Sequence, residues 1–426
     1  MNHSFRKFIS LNKSLKFEEK FFLIGIFFLP SAIPIGAFFL LIALIISIFK
    51  SNNILKDNWN YPILISIGLI LLSTINITVF NYPDELLNYQ KSFIWINLFN
   101  WITPLICFWG FQNFLITESQ RLNFCRYILF GTLPVLFSCI TQYIFKIYGP
   151  FSTMNGLIVW FQRPIEDTFE SVTGLFNNAN YLAFWLSIVL PFSLFFLKTS
   201  KYKFDKIIFS LIFINIVSFI FLTNSRNGLL SLVIVFFAFY KLKNVIIIIL
   251  SSLFFTTIAE LVIQLFNPSI SFFDWLSRSN LLNKISALSF NYASSPRYLI
   301  FKSSLSFIKR KPIFGWGAST FPQLHQDSGS LVNAQHTHNI FLELAHNFGL
   351  PLALLLGGSI VFLLIQHYCS IKKSIYKNKL FDKSWLVSTS LILILNISDL
   401  TLYDGKINLL ICTILAGSRC IIKANK

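Results

Sequence analysis

Charge is scarce in this sequence. Only 12% of its 426 residues are charged, with 17 Asp and Glu against 35 Lys and Arg. A water-soluble domain ordinarily carries about a quarter charged residues, so a set of soluble domains, which the length alone would suggest, is excluded. Cysteine is sparse as well. The six (Cys107, Cys125, Cys139, Cys369, Cys412, Cys420) lie in or beside apolar stretches and none forms a C-x-x-C pair. That excludes a disulfide framework and a thiolate metal site. There is no His-Glu-x-x-His, no internal repeat and no low-complexity linker. Gly315-Trp316-Gly317 has no βαβ pattern around it, so it marks a tight turn and not a nucleotide-binding fingerprint.

What fills the chain is apolar. Hydrophobic residues make up 55% of it, at a mean hydropathy of +0.66. Runs such as Ile207 to Leu222 and Val245 to Ala259 contain no charge. Spanning a bilayer takes about 20 apolar residues, and in lipid each backbone N–H and C=O must be satisfied within its own segment, which makes the spans helices. The expectation is an all-α, polytopic helical membrane protein of about twelve spans. They fall near 19–30, 34–49, 60–80, 94–117, 124–146, 179–197, 206–223, 228–240, 244–265, 340–366, 385–398 and 405–418. Residues 1–265 then carry helices 1–9, residues 266–339 a large outer loop, and residues 340–426 helices 10–12. The basic N-terminus ahead of Phe21 to Phe49 has the ingredients of a signal peptide. Its apolar part is too long and is interrupted by Pro30 and Pro34, so it reads as two retained helices joined at a bend.

The excess of +18 is not spread evenly. With the N-terminus inside, the inner connections hold Arg121 and Arg126, Lys198 to Lys206, Lys372 to Lys383, and Arg419 to Lys426. The short outer ones hold few cations and several acids, among them Asp84, Glu85, Asp399 and Asp404. This phase, kept from end to end, places both termini in the cytoplasm and accounts for the net charge without nucleic acid. Two outer segments, 148–178 and 267–335, are longer than a connection needs. The second is basic, which suggests an anionic partner. Within it, Tyr298 to Ile308 has the helical spacing of a short amphipathic helix at the membrane interface.

Polar residues that could carry chemistry gather on that outer side. Arg226 ends a span within Thr-Asn-Ser-Arg-Asn-Gly; it is either a snorkelling arginine or part of a polar break facing protein or water. Arg297 follows Pro296 at the start of the amphipathic helix, where it is open to a role as an interfacial anchor or as an anion-binding group beside free N–H groups. His336-Thr337-His338-Asn339 precedes the tenth span, and its histidines could be surface residues, metal ligands with His325 and Asp327, or acid–base groups. Glu260, at membrane depth, fits a structural pair as well as catalysis.

Taken together, these pieces resemble the O-antigen ligase and polymerase family of polysaccharide-assembly membrane enzymes. The matching features occur in order: Gly-Leu-Phe-Asn-Asn-Ala-Asn (Gly174 to Asn180) opening a span with Pro191, Ser225-Arg226, Arg297, Lys311 to Gly317, then His338-Asn339 followed by Gly349. Leu352 departs from the Gly, Thr or Tyr usual three residues after that glycine, and Ala179 stands where the family has proline. The resemblance covers residues 170–370. It implies a bacterial inner-membrane enzyme working on the periplasmic side, so the loop between helices 9 and 10 would be periplasmic. The donor would be an undecaprenyl pyrophosphate-linked glycan and the acceptor lipid A–core or another glycan, with no cofactor, metal or nucleotide sugar. Arg226 and Arg297 would hold the pyrophosphate and His338 would deprotonate the acceptor hydroxyl. Asn339, His336, Gly315, Gly317, Asn180 and Arg163 complete the expected substrate-binding set. An arginine–phosphate pair at about 4 Å and an effective dielectric near 20 is worth roughly 4 kcal/mol before desolvation. Transfer to a protein hydroxyl is a related outcome. A transporter of a small anion such as bicarbonate is the alternative from another class, though it calls for broken helices at the midplane and related halves, neither of which is evident.

Overall fold

The computed structural model describes residues 15–50, 57–165, 171–240, 295–373 and 378–425. Its helices, in chain order, are α1 (Phe17–Phe28), α2 (Ile33–Lys50), α3 (Asn60–Ile75, continued by a π-turn, Asn76–Phe80), α4 (Lys91–Asn97), α5 (Phe99–Phe111), α6 (Glu118–Tyr143), α7 (Ala179–Thr199), α8 (Lys203–Leu222) and α9 (Arg226–Phe239). After the undescribed stretch come α10 (Pro296–Arg310), α11 (Phe321–Asp327), α12 (Ile340–Phe348), α13 (Leu350–Lys373), α14 (Lys379–Ser398) and α15 (Gly405–Ala424). One small antiparallel hairpin, β1 (Phe151–Thr153) on β2 (Ile158–Trp160), lies in the 148–178 segment.

Among the described residues, nine helical stretches are long and apolar enough to cross a membrane. They correspond to nine of the twelve expected spans, and the fold is all-α and polytopic. Four expectations fare differently. The first span is only the 12-residue α1, folded back on α2 through the Pro30 bend, and the eighth is the 14-residue α9. The ninth, with Glu260, lies outside the described residues. The tenth does not begin at 340: Gly349 divides it into α12 and the true span α13. Gly349 has φ +92°, and a Cβ there would run into the Ile313 carbonyl. Only glycine fits that combination of left-handed backbone and close approach.

The centre of the bundle is α7, buried nearly all round, which packs on α6, α8, α9 and α14. Trp185 and Phe192 fill its core contacts, the second against Trp385 of α14. Around α7, polar groups pair across helices, as a dry interior favours: Trp185 Nε1 donates to Thr132 Oγ1 (3.1 Å), and Ser187 meets Ser231 across α7 and α9 (2.6 Å). Outward rows on α2 (Phe38, Leu41, Ile45) and α13 (Leu354, Val361, Ile365) are exposed and apolar, the surface a lipid-facing helix presents.

The connections sort into two ends. At one, Arg419 and Lys423 both hold Asp57, Lys50 meets Glu18 at 2.8 Å, and Asn378 bonds Glu118. Burial alone would raise the Asp57 carboxyl; hydrogen bonds from Arg419 and Lys423 outweigh it and bring the group down to about 2. At the other end of α14 lie the turn from Asp399 to Asp404 and everything bonded to it. The basic connections sit at the first end, as the charge phase of the sequence requires.

Candidate active site

Four helices begin around the 399–404 turn, each with a side-chain cap that the sequence supplies. Asn178 caps α7, Ser225 caps α9, Asn339 caps α12 through the N–H groups of Phe341 and Leu342, and Asp404 caps α15. Hydrogen bonds tie these starts together. Lys406 donates to the Leu175 carbonyl (3.0 Å), Val172 N–H to the Leu222 carbonyl (2.9 Å), Asn339 Nδ2 to the Ile397 carbonyl (2.8 Å), and Ser398 Oγ to Asn227 Oδ1 (2.7 Å). The Gly174–Asn180 run, the break after α8 and the His336–Asn339 loop therefore meet at one place. Helix N-termini carry partial positive charge and unpaired N–H groups, which favour an anion.

His338 sits in this junction with φ +56°, a left-handed conformation rare for a side chain of its size. Its Nδ1 is 2.8 Å from Asp399 Oδ1, with the imidazole 32% exposed and the carboxylate 7%. A carboxylate only accepts hydrogen bonds, so Nδ1 carries the hydrogen and Nε2 keeps the lone pair. The His338 N–H donates to His336 Nδ1 (3.2 Å), and the two rings stand 4.3 Å apart. Burial first, then the neighbouring His338, hold His336 down to about 4, so it is neutral at pH 7.

Behind the loop lies a polar cluster. Glu343, fully buried in α12, accepts from Thr337 N–H (2.9 Å), Tyr403 Oη (2.5 Å) and Asn347 Nδ2 (3.3 Å). Burial pushes its carboxyl up against those hydrogen bonds. Tyr403 also stacks on His336 at 6.0 Å. One side chain from α12 and one from the 399–404 turn thus fix the backbone and the ring of the histidine loop.

The expected site residues separate into groups. His338, His336 and Asn339 are together. Asn227, next to Arg226, reaches the same turn through Ser398. Asn180 opens α7 beside it, and the Arg163 backbone is held by its N–H on Thr173 Oγ1 (3.2 Å) and its carbonyl accepting from Gln142 Nε2 (2.7 Å). The Arg226 and Arg297 side chains are exposed, and among the described residues no ion pair or hydrogen bond engages either guanidinium. Arg297 is at the start of α10, which packs on α12, but no recorded contact joins it to His338. Gly315 and Gly317 lie against the other end of α12: Trp316 N–H donates to the His346 carbonyl (2.8 Å) and Gly317 N–H to that of Asn347 (2.9 Å). A Cβ on Gly315, at φ +65°, would come within 2.5 Å of the His346 carbonyl, so glycine is needed there for packing. His325 is buried on Phe321, apart from the cluster.

Residues 211–357 match a family model described as O-antigen ligase. The match supports assigning the chain to the O-antigen ligase and polymerase family. The matched stretch contains Arg226, Arg297, His336, His338 and Gly349, though not Asp399 or Tyr403. No curated protein matches the chain. The match supports, in general terms, a membrane glycosyltransferase activity of the ligase or polymerase type. Asp399, Glu343 and Tyr403 were not singled out from sequence as site residues. The available signal was a pair of acids flanking an aromatic in the last outer turn, Asp399 to Asp404.

Proposed function

We propose that the chain moves a glycan from undecaprenyl pyrophosphate onto a sugar hydroxyl at the periplasmic face of a bacterial inner membrane, with both termini cytoplasmic. The acceptor is lipid A–core for a ligase or a second lipid-linked repeat for a polymerase. In this reading Arg226 and Arg297 hold the pyrophosphate, and His338 Nε2 takes the proton of the attacking hydroxyl. The acceptor oxygen bonds to the anomeric carbon of the donor as the bond from that carbon to the pyrophosphate oxygen breaks. Pyrophosphate leaves with its charge on the guanidinium groups, which bind phosphate oxygens bidentately and stay charged at any working pH. Interactions that strengthen as this charge develops are the ones that lower a barrier. Asp399 keeps His338 in the accepting tautomer and stabilises the imidazolium that forms. Gly315 and Gly317 serve the substrate indirectly, by bracing α12; Asn180, Asn339, His336 and Arg163 line the approach.

The observation that supports this most directly is the His338–Asp399 pair at a junction of helix N-termini. The test is complementation of a deletion strain with Arg226→Ala, Arg297→Ala or His338→Ala, with protein level checked in membranes. Each should abolish transfer, and unchanged surface polysaccharide with the protein present would defeat the reading. The gel pattern separates the two activities: loss of a polymerase leaves single-repeat caps, whereas loss of a ligase leaves none.

A further inference from the structure

His336, His338 and Asp399 form the one group of potential metal ligands found among the described residues, with one donor atom from each lying within 4.8 Å of the other two. A tetrahedral zinc site with bonds of about 2.0–2.1 Å needs donors roughly 3.3 Å apart. The His338–Asp399 contact is already shorter than that, at 2.8 Å, and the His336 donor lies within 4.8 Å of both. Two imidazoles and one carboxylate, with solvent on the exposed side of His338 to fill the fourth position, is a donor set suited to zinc and its neighbours and poor for magnesium or calcium, which prefer all-oxygen cages. Both histidines are on a loop whose backbone is fixed by Glu343 and Asn339, so the ligands are held before the ion arrives. Tyr403, stacked on His336 and tied through its hydroxyl to Glu343, fixes the plane of that ring.

We propose that His336, His338 and Asp399 bind a single divalent transition-metal ion, zinc in particular, and that its binding switches the transferase off. The second half rests on the proposed role of His338. The ion takes the ring nitrogen and carboxylate oxygen that share a hydrogen in the metal-free site; Nδ1 gives that proton to solvent and Nε2 takes one up, so the ring stays neutral and Nε2 has no lone pair left to accept a proton. His338 is then anchored to the metal, and Asp399 is no longer available to orient it as a base.

Cobalt(II) reports on such a site by its visible absorption. Full-length protein in detergent, titrated with Co²⁺, should take up one equivalent with the bands of a four- or five-coordinate nitrogen–oxygen site, and Zn²⁺ should bleach them stoichiometrically. His336→Gln and Asp399→Asn should each weaken binding by more than about 100-fold, beyond the effect of losing an outer-layer partner, while Cys369→Ser, at an exposed thiol on α13, should not. His336→Cys guards against loss by misfolding: it should keep the ion and add a thiolate-to-cobalt charge-transfer band in the near ultraviolet. Absence of a one-to-one complex in the unaltered protein, or binding that survives both His336→Gln and Asp399→Asn, overturns the site. Transfer of a lipid-linked glycan, measured on the same preparation, should fall in step with zinc occupancy and return with chelator. Full transfer with the site occupied overturns the switch and counts against His338 as base, whereas His338-dependent transfer in a protein that binds no metal overturns this inference alone.

Discussion

Asp399→Asn is the sharpest perturbation the site allows. It keeps the shape of a side chain that is 7% exposed, leaves the Asp399 N–H bond to the Leu395 carbonyl intact, and removes only the charge and one acceptor geometry. In the proposed transfer His338 becomes an imidazolium whose Nδ1 lies 2.8 Å from Oδ1. At that separation and an effective dielectric near 20 the new attraction is about 6 kcal/mol before desolvation. A charge-assisted hydrogen bond measured by substitution contributes about 1.5–3 kcal/mol, and an aspartate that orients a catalytic histidine is worth as much as about 10⁴-fold, or 5.5 kcal/mol. The asparagine amide can also offer its NH₂ to Nδ1, which would put the hydrogen on Nε2, the wrong nitrogen for a base.

The expected outcome is a fall in kcat of about 10²–10⁴-fold, with KM for the lipid-linked donor little changed because the proposed pyrophosphate contacts, Arg226 and Arg297, are elsewhere. The assay is single-turnover transfer from a synthetic polyprenyl-pyrophosphate glycan by purified protein, with a thermal melt to show that the fold persists. A variant that keeps more than half the rate, or one whose defect lies wholly in KM, refutes the orienting role. Asp399→Glu, which restores charge at the wrong distance, should recover only part of the loss.

Other outcomes follow from the same geometry. Tyr403→Phe removes a hydroxyl from the buried Glu343 carboxyl, and should cost about 1.5–3 kcal/mol of stability together with a drop in kcat, read by denaturant melts and turnover. Gly349→Ala puts a Cβ into the Ile313 carbonyl at a left-handed position; it should lower folded yield in membranes more than any alanine on the outer face of α13 does, by fluorescence-detected gel filtration. Because His336 is held at about 4 in the folded chain against an ordinary 6.5, the unfolded state binds the extra proton between those values. Stability should therefore fall on acidification from pH 6.5 to 4 by up to about 1.4 kcal/mol per unit, level off below, and lose that share of its slope in His336→Gln. His346, pushed by burial to about 3, adds in the same direction and supplies the residual slope in that variant.

What was legible in the sequence is what local composition controls. Apolar runs located nine spans, and the alternation of basic connections agrees with the two ends that Asp57–Arg419 and His338–Asp399 mark. Ser295 and Pro296 announced the start of α10, where the chain begins an amphipathic helix. The rest depends on approaches between distant residues. A hydropathy window averages Gly349 into its neighbours, so α12 and α13 read as one span; the division needs the Ile313 carbonyl, which comes from a different part of the chain. Asp399 and His338 are 61 residues apart, and Tyr403 and Glu343 are 60 apart, so no spacing rule links them.

The strain at the junction shows why these distant partners matter. A non-glycine residue in the left-handed region costs about 1–2 kcal/mol, and two of them lie here: Asn224, two residues before Arg226, and His338 itself. Such conformations persist only where the surroundings over-determine them. At His338 they do: its N–H is taken by His336, its ring by Asp399, the preceding N–H by Glu343, and the following side chain by the first turn of α12. A loop bound at four points, two to α12, one to the Asp399 turn and one within itself, is held against drift, so its imidazole stays aimed. The buried Glu343, the stacked Tyr403 and the Asp399 turn are, on this account, what keeps a strained histidine in one orientation, and their loss should be felt in turnover as well as in stability.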